Sequence, residues 1–151
     1  MTPKVFPFDK LQELVGQALG TSDWILVDQA RIDAFAHVTG DHQWIHVDAG
    51  RAAEGPFGST VAHGYLTLSL LPAMVATAFE INGSRMGVNY GINRLRFPAP
   101  VPVGSRLRGH FRLLACDPIE GGVQLVIEAT IEREGFAKPV CVVEMLARRY
   151  R

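Results

Sequence analysis

The segment from Val61 to Ile81 constrains the fold of this chain more than any other. Leu66, Leu68, Leu70, Leu71, Met74, Val75 and Phe79 leave it almost no polar face, and a helix apolar on all sides has to be buried on most of them. Thr, Ser, Pro and Glu residues interrupt the run, so it reads as a core helix and not as a bilayer span. Pro72 lies inside it and is expected to kink the helix or shorten its first part, because proline has no N–H and its ring clashes with the preceding turn. Asn82-Gly83 marks its end.

Past this helix the period of the pattern changes. Met86–Phe97 reads as a long strand with glycine breaks, and Pro98, Pro100, Pro102 and Gly104 form the connection after it. Leu107–Ala115, Val123–Arg133 and Val140–Tyr150 alternate as strands, with turn signals at Gly121-Gly122 and Glu134-Gly135. They are expected to pair antiparallel in sequential order, and the apolar helix has only a face of that sheet to lie against. Upstream, Asp9 and Gln12 suit the capping box of a first helix with the stripe Phe8, Leu11, Leu14, Val15, Ala18 and Leu19, stopped by Gly20. Trp24–Val27 reads as a short buried strand. Asp28 then caps a helix with Ile32, Phe35, Ala36 and Thr39 on one face before Gly40. Asp48 suits the cap of a brief turn through Ala53, followed by a loop at Gly55-Pro56-Phe57-Gly58. The class is α+β, with residues 1–151 as a single domain large enough to bury its own core.

Fifteen basic and fifteen acidic residues cancel, which leaves no global field to recruit nucleic acid or an anionic membrane. Cys116 and Cys141, the two cysteines, sit in apolar strand-like runs and read as small buried hydrophobes, not as a disulfide or metal ligands. The amino-terminal residues lack the apolar run and cleavage site of a secretory leader, so a soluble, cytoplasmic protein is expected.

The chemistry concentrates in Thr39-Gly40-Asp41-His42-Gln43-Trp44-Ile45-His46-Val47-Asp48. Asp41 and His46 stand five residues apart, just past the helix-ending Gly40, and are expected to project from an irregular loop. A carboxylate and an imidazole together position and deprotonate a water. Ala62-His63-Gly64-Tyr65 opens the apolar helix, where backbone N–H groups are free of intrahelical acceptors. The His/Asp spacing matches no zinc signature, and no phosphate-cradling loop or nucleophile elbow is present; no metal and no cofactor is required.

Phe35-Ala36 with Thr39-Gly40-Asp41 and His46-Val47-Asp48, then Phe57-Gly58, Ala62-His63-Gly64, and Arg96-Phe97-Pro98 with Pro100-Val101 resemble the MaoC-like hydratases, the (R)-specific enoyl-CoA hydratases of the hot-dog fold, in the branch that includes nodulation-protein-N-like sequences. The resemblance implies a curved antiparallel sheet wrapped around one central helix, and protomers paired as homodimers. It implies that Asp41 and His46 are the catalytic pair and that the Gly64 N–H holds the thioester carbonyl of an acyl-CoA, with reversible hydration of a trans-2-enoyl thioester to the 3-hydroxyacyl thioester. Where the family commonly has Asn-Pro, this chain has Gln43-Trp44. Gln43 keeps an amide donor, whereas Trp44 lacks the fixed φ of proline and adds bulk, so the loop is held differently or the mouth of the site is narrowed.

Other candidates carry two readings each. His63 at the helix entry orders the loop locally or contacts substrate. Tyr90, Asn93 and Arg96 line the acyl or pantetheine path or serve sheet packing. Arg94 and Arg96, alternating with Leu95 and Phe97, meet CoA phosphates or solvent. Ser69 is assigned no catalytic role, and His37 and His42 are expected to face solvent. Two rival functions remain open. A hot-dog thioesterase needs a carboxylate on or near the central helix, which carries only Glu80 at its far end. A non-catalytic acyl-thioester-binding subunit would be marked by loss of Asp or His from the pair, and both are retained.

Overall fold

The computed structural model describes residues 2–151. The chain opens with strand β1 (Lys4–Pro7), a 3-10 helix (Phe8–Leu14) and strand β2 (Ala18–Thr21). The expected first helix is therefore only half present. Its preceding residue, Pro7, makes no side-chain cap, Asp9 pairs with Arg151, and the chain turns at Gly16 with a positive φ of 85°. Leu19, placed on the same helical stripe as Leu11 by the sequence, is buried instead from a strand paired with β6 (Ser105–Ile119). Tertiary pairing overrides a short helical pattern here.

Strand β3 (Ile25–Val27) leads into α1 (Gln29–Thr39), whose cap is Asp28, accepting from the Arg31 N–H at 2.9 Å. Ile32 and Ala36 are its buried residues, and Gly40 ends it at a φ of 78° that few other residues adopt. A one-turn helix α2 (Trp44–Val47) and α3 (Ala49–Ala53) follow, the second capped by Asp48 as expected.

The apolar segment is shorter and more broken than its hydropathy suggests. It folds as α4 (Gly64–Ser69) and α5 (Leu71–Ala78), divided at Leu70 with Pro72 in the first turn of α5. Proline is tolerated there because first-turn N–H groups have no intrahelical partner. Phe79–Asn82 is not helix but strand β4, parallel to β1. Glu80 is consequently a strand residue and exposed, so neither α4 nor α5 carries a carboxylate.

Strands β5 (Met86–Arg96), β6, β7 (Gly122–Arg133) and β8 (Cys141–Tyr150) complete the molecule. Strands β6, β7 and β8 form a meander, but β5 pairs with β8 and not with β6, giving the order β2-β6-β7-β8-β5 with β3 also on β6. Sequential order is thus corrected for β5. The proline-rich segment 97–104 carries the chain from one side of the sheet to the other, and repeated prolines disfavour the tight hairpin that adjacency would need.

The sheet curves around the helix, giving the hot-dog architecture. Leu107, Phe111 and Leu113 of β6, Leu125, Ile127, Ala129 and Ile131 of β7, and Val143 of β8 face Leu66, Leu70, Leu71, Met74 and Ala78 in one core. A register shift between Leu113 and Ala115 changes which residues point inward, and Cys116 is buried beyond it. Cys141 is buried too, and burial lifts its thiol to a pKa of about 12, as suits an inert packing residue. No helix among the described residues is long and apolar enough to cross a membrane.

Candidate active site

The site forms where the crossing segment passes the start of the central helix. The Ala62 N–H donates to the Val101 carbonyl at 2.8 Å, and the Val103 N–H donates to that of Thr60 at 3.0 Å. These bonds fix residues 97–101 over Gly64, the first residue of α4. Between them lies a cavity of about 320 Å3 lined by His46, Gly64, Thr67, Phe97, Pro98 and Val101 among others.

His46 lies within α2, a correction to the expected irregular loop, and only Asp41 projects from irregular chain. The imidazole is buried, and its Nδ1 sits 2.7 Å from the Val61 carbonyl. A carbonyl only accepts, so Nδ1–H donates and Nε2 keeps its lone pair. The backbone of His46 is held in turn: Gln29 Nε2 donates to its carbonyl at 2.8 Å, and the Thr60 hydroxyl donates to Gln29 Oε1 at 2.6 Å. Burial pulls the His46 pKa below its ordinary 6.5. The Val61 carbonyl opposes this, His63 adds to it, and Asp41 opposes it.

Asp41 is exposed at the end of the loop from α1, with Oδ1 accepting from the Gln43 N–H at 3.3 Å. Its carbonyl accepts from His63 Nε2–H at 2.9 Å. His63 is 3% exposed, stacks on His46 with ring centroids 3.8 Å apart at 23°, and packs against Phe35 of α1. It therefore touches both members of the pair, binding the backbone of one and the ring face of the other. Its Nδ1 is buried without a partner.

One donor atom from each of Asp41, His46 and His63 falls within 4.8 Å of the others. Nearly parallel stacked rings cannot both aim an in-plane lone pair at one ion, and two of the four ring nitrogens already donate to carbonyls. The cluster suits proton transfer better than metal ligation.

Gly64 has no intrahelical acceptor for its N–H. A Cβ on it would stand 2.9 Å from the Phe97 ring, so any other residue here requires that ring to move. The structure thus brings together Asp41, His46, His63 and Gly64, with Gln43 beside Asp41. Trp44 is turned elsewhere: Arg51 lies 4.3 Å over its ring, and a Cβ on Gly55 would meet the ring at 2.9 Å. It ties the helical segment 44–55 together and does not line the cavity. Tyr90 and Arg96 stand on β5, exposed. Tyr90 is covered by the Arg148 guanidinium at 3.4 Å, and Arg96 donates to the Leu95 carbonyl at 2.7 Å. Neither borders the His46 cavity. Ser69 donates to the Tyr65 carbonyl at 2.6 Å.

Sequence reasoning passes over Gln29, Thr60 and Thr67. Gln29 follows a capping aspartate and looks like any first-turn residue, while Thr60 is a loop residue in the pattern. Only their burial and bonding across 31 residues of chain mark them as supports of His46.

Residues 10–134 match the MaoC like domain family. The chain is 48% identical over 139 residues to 3-hydroxyacyl-thioester dehydratase Z of Mycobacterium tuberculosis, covering 91% of this chain and 92% of that protein. It is 52% identical over 129 residues to nodulation protein N of Rhizobium leguminosarum bv. viciae, covering 83% and 80%. In fold it superposes on the unliganded R-hydratase PhaJ1 of Pseudomonas aeruginosa with a TM-score of 0.73 at 26% identity, over 91% of this chain and 82% of that one.

Proposed function

The chain belongs to the MaoC-like domain family, and from that premise we propose that it is an (R)-specific 2-enoyl-CoA hydratase working reversibly as a 3-hydroxyacyl-CoA dehydratase. The observation carrying this reading is the His46 imidazole, its Nδ1–H held by the Val61 carbonyl so that Nε2 keeps its lone pair, clustered with the Asp41 carboxylate and lining a cavity that Gly64 also lines. The activities for which the relatives are named, a 3-hydroxyacyl-thioester dehydratase and an R-hydratase, support the same chemistry.

In hydration, a water between Asp41 and His46 gives a proton to His46 as its oxygen bonds to Cβ of the enoyl thioester. The π electrons move toward the thioester oxygen, where the Gly64 N–H stabilises the charge as it develops. A proton returned to Cα from the same pair completes the 3-hydroxyacyl product. Dehydration runs the steps backward. His63 is a positioning residue, because it bonds and stacks with the pair while remaining buried. Crotonyl-CoA offered to the purified protein should lose its enoyl absorbance without release of free thiol, and chiral analysis should return the R alcohol. Thiol release instead would point to a thioesterase.

His46 has to be neutral to accept the proton. Its pKa is depressed below 6.5, so the imidazole stays unprotonated as pH falls through that value. The acid limb of kcat/KM against pH is therefore expected to have its midpoint below 6.5; a midpoint at or above it would contradict a desolvated neutral base.

We propose further that two copies pair along β5. This strand is exposed along its length, with Met86 at 49%, Val88 at 41%, Tyr90 at 54% and Ile92 at 44%. Its free edge offers unpaired N–H and carbonyl groups to a second copy. Light scattering should give the mass of a dimer, and Val88→Lys combined with Tyr90→Lys should give a monomer. A monomeric wild-type protein would refute the pairing.

A further inference from the structure

A second cavity, of about 570 Å3, flanks the same helix on another side. Gly64 and Thr67 face the catalytic cavity, whereas Leu71, Val75, Phe79, Ile127 and Met145 give this one apolar walls. One cation also lines it, Arg149 of β8.

Arg149 follows the alternation of Val143 and Met145, which pack on the core side of β8. Its Nε is buried with no hydrogen-bond partner. Three other arginines of this sheet are paired: Arg106 with Glu134, Arg108 with Glu132, and Arg148 with Gln124. Among the described residues no carboxylate pairs with Arg149. Burial draws its pKa below the ordinary arginine value. Gly87 is part of the arrangement, since a Cβ there would collide with Nη1 of Arg149.

Arg149 is half-buried, and a guanidinium drawn partly out of water against apolar walls, with Nε unsatisfied, gives up hydration that no counter-charge replaces. Groups perturbed in this way concentrate where a ligand completes them. We propose that Arg149 receives the carboxylate at the far end of an acyl chain, so that the preferred substrate is the thioester of a dicarboxylic acid. The inference rests on the hydratase reading. A single guanidinium fork matches one carboxylate, and the apolar walls match the methylene chain leading to it. The multiply charged phosphates of a CoA carrier call for more than one cation and fewer apolar walls.

The test compares two trans-2-enoyl-CoA thioesters of equal chain length, one ending in methyl and one in carboxylate. Wild-type protein should show the higher kcat/KM with the carboxylate-ended substrate. Arg149→Met should lower that preference by about ten- to a hundredfold, the scale of a lost charge-assisted hydrogen bond. The same acyl groups on pantetheine, which lacks the carrier phosphates, should keep the wild-type preference. A preference that vanishes on pantetheine would overturn the proposal, because Arg149 would then be reading the carrier. So would an unchanged ratio in Arg149→Met, or a wild-type preference for the methyl end. Hydration of the methyl-ended thioester by wild-type protein is a separate control. Its absence together with absence of hydration of the carboxylate-ended thioester sinks the hydratase reading itself, whereas hydration without a carboxylate preference sinks only the role of Arg149.

Discussion

Asp41→Asn and His46→Gln are each expected to lower kcat/KM for crotonyl-CoA hydration by at least about a hundredfold, the lower end of what a positioned acid–base group contributes. The two substitutions remove different halves of one proton path. Asparagine keeps the shape of Asp41 and an oxygen able to accept from the Gln43 N–H, but it cannot take up a proton. Glutamine at position 46 offers an amide donor toward the Val61 carbonyl in place of Nδ1–H, and it has no basic lone pair. Because Asp41 is exposed, Asp41→Asn should leave the melting temperature within about a degree or two of wild type, surface changes of this kind being worth only a few tenths of a kcal/mol. The double variant should be hardly worse than the worse single variant, since groups that act as a unit lose their contribution together. Turnover within about tenfold of wild type in either single variant would remove the pair from the mechanism.

Gly64→Ala carries the second large effect, a loss on the order of a hundred- to a thousandfold in kcat. The added methyl would stand 2.9 Å from the Phe97 ring, in the cavity that Gly64 and His46 share. Two causes of the loss can be separated. If the methyl only displaces Phe97, which is 39% exposed and has room to yield, then Phe97→Leu in the same chain should restore the rate. If it blocks the approach of the thioester oxygen to the Gly64 N–H, relieving Phe97 should restore little. Oxyanion stabilisation by Gly64 requires the second result, and full rescue by Phe97→Leu would reduce Gly64 to a packing residue.

Much of the fold and the site is legible in the residues, though unevenly. The caps at Asp28 and Asp48, the stop at Gly40 and the three meander strands are readable because each depends on neighbours within a few positions. The segment 61–81 misleads at its far end. Phe79–Asn82 is as apolar as a helix continuation, but β1 pairs with it from more than seventy residues away, and no local pattern records that partner. Leu19 misleads in the same way, its helical spacing to Leu11 being overruled by pairing with β6. Trp44 has the sequence position of a residue at the mouth of the site; its contacts with Arg51 and Gly55 show that it braces the segment 44–55.

By itself the sequence determined the α+β class of the fold and singled out Asp41 and His46 as the proposed acid–base pair, because hydropathy period and residue chemistry are local properties of the chain. The tertiary structure decided what surrounds that pair. The Val61 carbonyl fixes which nitrogen of His46 holds the proton, while burial and the stacked His63 lower its pKa against the opposing effect of that carbonyl. The cover over the cavity depends on residues 97–104 carrying the chain across the molecule. That route sends β5 to the far edge of the sheet and lays Phe97 to Val101 over the start of the helix, and a long-range crossing of this kind leaves no periodicity in the residues that make it.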